Sequence, residues 1–98
     1  MKRVVATPFP SSPELRTPAQ FGAAVRAART QSGLTLEAAA LLVGVAKQTL
    51  SDLETGRPTV GLGIALRVAE ELGVALFVAP AGRRTAIRRL FDEVGDAA

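Results

Sequence analysis

Apolar positions along the chain come in short bursts, each closed by glycine or proline. In "TPAQFGAAVRAARTQSG", Phe21, Val25 and Ala28 recur at intervals of four and three, the spacing of one buried helical face. Thr17 can cap this helix, Pro18 suits its first position, and Gln20 stands where a capping box needs it. Gly33 ends it. Thr35 then caps "LEAAALLV", with Glu37 in the first turn, where the helix dipole favours a negative charge, and Ala39, Ala40 and Val43 expected inward. Gly44 stops that helix. A third is predicted from Lys47 to about Thr55, with Leu50 and Leu53 inward and Gly56 as its stop. Thr59 is expected to cap a fourth, Val60–Leu72, burying Leu62, Leu66, Ala69 and Leu72. Gly61 and Gly63 in its first turns have no explanation in the sequence.

After Gly73 the pattern changes. "VALFVAP" is β-prone and closed by Pro80, which predicts one strand at Val74–Ala79. A lone strand leaves its backbone donors and acceptors unmet, and the chain holds no second strong strand. The economical solution is a homodimer pairing strand to strand across a two-fold axis through Val74, Leu76, Phe77 and Val78. Beyond it, Ile87, Leu90, Phe91 and Val94 stand at helical spacing, in a tail or short helix over residues 80–98. At the other end, Pro8, Pro10 and Pro13 deny a helix to residues 1–16, which are expected to form a flexible arm. Residues 17–79 form the domain between.

The tight break in "VGVAKQTLSDLETGRPTV" is the organising feature. Two short helices separated by so few residues make a helix-turn-helix, whose second helix enters a major groove by its N-terminal residues. Gly44 relieves the turn, Val45 plugs the core, and Leu50 and Leu53 pin the far side. Lys47, Gln48, Thr49, Ser51 and Asp52 are left on or near the outward face. Lysine can donate to guanine or phosphate, glutamine can bind an adenine edge with two bonds, and hydroxyls serve either. Arg57, just past the helix, is placed for a phosphate, as is the hydroxyl of Thr35 at the second helix's start. A polar face on one short helix is often merely solvated; the whole helical pattern is what argues for DNA.

Composition narrows the picture. The 98 residues include no cysteine and no histidine. That removes disulfides, thiolate zinc sites and the commonest general base. Neither an enzyme nor a cofactor is expected. No membrane-length apolar run occurs, and the prolines of the N-terminus break any signal-peptide pattern, which predicts a cytoplasmic protein. The net charge is only +3, but its placement is uneven. Lys2, Arg3 and Arg16 oppose Glu14 at one end, and Arg83, Arg84, Arg88 and Arg89 oppose Asp92, Glu93 and Asp96 at the other. Basic arms on a neutral middle suit a polyanion, and four Phe with no Trp or Tyr offer little stacking surface for single strands. Double-stranded DNA fits better.

From Phe21 to Leu76 the chain resembles the XRE (phage-repressor) helix-turn-helix family, over roughly residues 19–76. "LETGRPTVGLGIALRVAEELGVALFV" is similar to the HipB-like antitoxins, in which the fourth helix runs into a strand. The resemblance implies a mainly α, lambda-repressor-like domain of four to five helices with a C-terminal β-strand. It implies a homodimer that represses its own operon by binding operator DNA and also binds a HipA-like kinase toxin. It places Lys47, Gln48, Thr49 and Ser51 at base- or phosphate-touching positions, with Thr35 and Arg57 at flanking ones. It makes Arg29 and Glu54 an internal ion pair. Two positions depart from the family: Leu36 replaces a glutamine that often contacts phosphate, and Ala46 replaces the usual Ser or Thr cap. A free-standing repressor without a toxin, or an interaction module that has kept the fold but not DNA binding, are the alternatives.

Overall fold

The computed structural model describes residues 3–97, with side chains through Glu93. Five α-helices follow one another: α1 (Pro18–Gln31), α2 (Leu36–Val43), α3 (Lys47–Glu54), α4 (Leu62–Leu72) and α5 (Arg84–Ala97), the last preceded by a 3-10 turn at Ala81–Arg83. The first four surround one core; α5 lies outside it. No described residue belongs to a strand, and no helix among them is long and apolar enough to cross a membrane.

Local chemistry sets the helix ends. The Thr17 hydroxyl accepts from the Gln20 amide at 3.2 Å, and the Gln20 side-chain oxygen accepts from the Thr17 amide at 3.1 Å, closing the capping box. The Thr35 hydroxyl accepts from the Ala38 amide at 3.1 Å. Gly33, Gly44, Gly56 and Gly73 all take positive φ, a region other residues enter at a cost.

Small side chains build the core. Val25, Ala39, Leu50 and Val68 are wholly inaccessible, joined by Phe21, Ala28, Ala40, Val43 and Leu53, with Val45 packed at the edge. Helices lined with alanine and glycine approach closely. At Gly22, α1 comes so near α3 that a Cβ there would stand 2.3 Å from the Leu53 carbonyl oxygen.

Helix α4 departs from the periodicity reading. It starts at Leu62 behind Gly61, not behind a Thr59 cap, and buries Ala65, Val68, Ala69 and Leu72. Leu62 is 74% and Leu66 48% exposed. The two leucines offered a competing stripe one residue out of phase, and the closely packed helices accept alanine and valine there instead. Gly61 becomes intelligible as the N-cap, a position where glycine costs little.

The expected strand at Val74–Ala79 is absent. The segment leaves α4 through Gly73, and Val74 packs on the core, its amide donating to the Ala69 carbonyl at 2.8 Å. From residue 75 to Pro80 the backbone belongs to neither helix nor strand, since the described residues of one chain offer no neighbouring strand to build a ladder.

The terminal segments fold back on the domain. The Thr7 amide donates to the Thr30 hydroxyl at 2.9 Å, and the Gln31 side chain donates to the Thr7 carbonyl at 2.8 Å. Glu14 gathers Arg16 at 3.0 Å, Arg84 at 2.5 Å and Arg88 at 2.6 Å, linking α5 to the segment before α1. Ile87 also lines a groove with Pro13, Leu15 and Phe77, whereas Leu90 stays 58% exposed. Lys2 and the side chain of Val94, also assigned above, lie outside the described residues.

The Arg16 hydrogen bond, helped by that of Arg88 and the charges of Arg16 and Arg84, holds the Glu14 carboxyl below its usual range against opposing desolvation. A carboxylate so depressed contributes its stability above the unfolded-state value of about 4.3 and loses it as pH falls through the lower folded value. Proteolysis within α5 is therefore expected to be unchanged from pH 8 to about 5 and to accelerate below about 4. Glu14→Gln should give the fast rate throughout.

Candidate nucleic-acid interface

The turn between α2 and α3 is fixed from two sides. Gly44, at φ +82°, closes α2 with its amide on the Ala40 carbonyl at 2.9 Å, and Val45 bonds the same carbonyl at 3.0 Å. From α4, Arg67 reaches across and donates to the Val43 carbonyl, with Gly44 O at 3.4 Å. A Cβ on Gly44 would meet that guanidinium at 2.8 Å, so the glycine serves both the backbone angle and the arginine's access. The sequence reading did not single out Arg67. Its one signal was a lone cation in the otherwise apolar run "IALRVA".

Helix α3 is anchored by buried Leu50 and Leu53 and leaves its leading polar residues accessible. Lys47 and Gln48 are exposed; Thr49 and Ser51 are half-buried. Lys47 pairs with Glu37 of α2 at 2.5 Å. Gln48 donates to Asp52 at 2.9 Å, and Asp52 also faces Arg57 at 3.3 Å. Arg57 and Lys47 are 68% and 55% exposed, so each pair is worth only about 0.2–1 kcal/mol. Incoming phosphate can displace either carboxylate.

Thr35 spends its hydroxyl lone pair on the α2 cap and keeps its O–H for another acceptor. Thr35 and Lys47 line one open concavity of about 430 Å³, shared with Arg3, Arg26 and Glu37. Gln48, Ser51 and Arg57 lie outside it.

Behind this face, Arg29 and Glu54 form a two-bonded pair at 2.6 and 2.9 Å, their side chains 11% and 6% exposed. The third Arg29 bond goes to the Leu34 carbonyl at 2.9 Å. One guanidinium thus ties the ends of α1 and α3 to the loop before α2.

Ala46 is the N-cap of α3 and makes no side-chain bond to the helix. Its φ of −65° and ψ of 146° already suit a capping residue. Ala46→Ser is expected to add about 0.5–2 kcal/mol by giving the Thr49 amide an acceptor, read as a raised Tm in thermal unfolding.

Comparison with known proteins agrees with this geometry. Residues 25–78 match the helix-turn-helix family model HTH_3. Over 70 residues, 71% of this chain and 92% of the relative, the sequence is 36% identical to y4mF of Sinorhizobium fredii (strain NBRC 101917 / NGR234), an uncharacterised HTH-type transcriptional regulator. Among solved structures, the fold is similar to HipB in its O4 20mer complex and in an O2 20mer complex. Both have TM-score 0.62 and 22% identity over 69% of this chain, covering 96% and 94% of the respective HipB chains. The chain belongs to the XRE-type helix-turn-helix family. Its fold is HipB-like.

Proposed function

We propose that the protein is a transcriptional repressor that reads double-stranded operator DNA with α3. The observation that carries this is the accessible, polar leading edge of α3, held rigidly by Leu50, Leu53, the Arg67 bridge and the Arg29–Glu54 pair. In this reading Lys47 and Gln48 reach base edges, Thr49 and Ser51 support them, and Thr35 and Arg57 hold phosphates.

The protein acts as a homodimer in which residues 74–79 of two copies pair. Support comes from the unladdered backbone there and from Phe77 and Val78, 90% and 101% exposed, beyond a Val74 already seated on the core. In the finer version it is an antitoxin that represses its own operon and binds a HipA-like kinase toxin. The HipB-like segment of the sequence and the HipB-like fold support that version. A free-standing repressor is the second reading, favoured by the 36% identity to a relative named only as a transcriptional regulator.

Binding of a labelled duplex from the protein's own promoter, against a scrambled duplex, tests the DNA reading. Lys47→Ala or Gln48→Ala should cost about 1–3 kcal/mol on the promoter and narrow the gap to scrambled DNA. Arg57→Ala should weaken both duplexes alike and reduce the salt slope by about one unit. Promoter affinity that ignores salt would overturn the reading. Sedimentation of a chain lacking residues 74–79 tests the dimer, a monomer being the expected result.

A further inference from the structure

We propose that the N-terminal segment is part of the DNA interface: Thr30 latches it across α1 so that Arg3, with Arg26, forms a second grip on the duplex backbone beside Thr35 and Lys47. This rests on the DNA-binding reading and extends it to residues outside the helix-turn-helix.

The latch is unusual in its chemistry. Thr30 is a buried polar residue, at 6% exposure. Its hydroxyl donates to the Ala27 carbonyl at 3.3 Å and accepts the Thr7 amide at 2.9 Å, with the Thr7 hydroxyl at 3.2 Å. Gln31 takes the Thr7 carbonyl, so both backbone groups of Thr7 are held. An arm clamped at residue 7 has a fixed direction of exit. Residues 3–5 accordingly line the same concavity as Thr35 and Lys47.

The charges there point to an anion. Arg3 and Arg26 are both exposed, and neither has an acidic partner among the described residues. Arg16, Arg29, Arg57, Arg84 and Arg88 face a carboxylate; Arg67, Arg83 and Arg89 do not among the described residues, but none of these three lines this concavity. Four cations, Arg3, Arg26, Arg29 and Lys47, therefore line one open concavity with Glu37; Arg29 is paired with Glu54 and Lys47 faces Glu37. Consecutive backbone phosphates of a duplex supply the row of negative charge that such a surface lacks. Contacts of this kind fix register and add affinity without reading sequence.

The full chain should be titrated against its promoter duplex and a scrambled duplex of equal length, from 50 to 200 mM salt. Arg3→Ala and Arg26→Ala should each weaken both duplexes by the same factor and flatten the log–log salt slope by about 0.9, one phosphate contact. Thr30→Val, which removes the acceptor for the Thr7 amide, should reproduce the Arg3→Ala loss. In the Thr30→Val background, Arg3→Ala should add nothing. Because Arg3 is exposed, its replacement tests the idea even if Thr30→Val fails to fold. If Arg3→Ala and Arg26→Ala keep the wild-type slope while Arg57→Ala flattens it, the second grip is refuted and the DNA reading stands. Loss on the promoter duplex alone would also refute it, since a backbone contact cannot prefer one sequence. A wild-type protein that binds neither duplex overturns both.

Discussion

Glu54→Ala is expected to cost about 3–5 kcal/mol, the loss typical of breaking a buried ion pair from one side. A domain of this size has only about 5–15 kcal/mol in hand, so the variant should lose a large share of its stability and unfold at clearly lower urea than the wild type. The reason is geometric. Arg29 would keep its bond to the Leu34 carbonyl but lose both carboxylate oxygens while 11% exposed, with little water to replace them. Arg29→Ala is expected to be at least as damaging, since it strands the Glu54 carboxylate and the Leu34 carbonyl together. Urea denaturation of both single variants and the double variant checks this. The double loss should fall clearly short of the sum, because the two side chains act as one unit.

Gly22→Ala carries the second large expected effect, and here two influences oppose each other. Alanine is the better helix former by about 0.8–1.0 kcal/mol. Against that, its methyl would stand 2.3 Å from the Leu53 carbonyl oxygen and 2.6 Å from that of Glu54. Those atoms belong to the backbone of α3 and cannot rotate away. Sterics win: separating the helices costs about 1–3 kcal/mol or more and also strains the Arg29–Glu54 geometry. Gly63→Ala is the matched control, with no atom within 4 Å of the added carbon. It should stabilise modestly. A stabilised Gly22→Ala protein in the same thermal melts would refute the close approach.

Much of this was legible because it is encoded locally. The "TPAQ" capping box, the glycine stops and the turn at Gly44 each depend on a few neighbouring residues, and the structure forms them as the sequence predicts. Helix α4 was misphased because Leu62 and Leu66 carry a stronger apolar signal than Ala65 and Val68, and hydrophobicity alone cannot register how closely α1 and α2 approach. The strand failed for a different reason: β-propensity marks a segment willing to pair, but a ladder needs a second edge, and the described residues of one chain offer none. At the candidate interface, the exposure of Lys47 and Arg57 was readable from their place after each helix break. Arg67, Asp52 as a partner of Gln48, and the Thr7–Thr30 bond were not. Each depends on which side chains meet, and for Thr7 and Thr30 the meeting spans 23 residues.

The bridge from Arg67 adds a polar tie between α4 and the turn to the core packing they already share. With α4 fastened to the turn at Val43 and Gly44, and Val74 seated directly after α4, α3 and the exit toward residues 75–79 travel together like a key and its bow. Anything that clasps the far end sets the tilt of the near one. Two copies joined there would present their reading helices at one spacing, and a partner that skewed the junction would spoil the fit of both on a duplex at once.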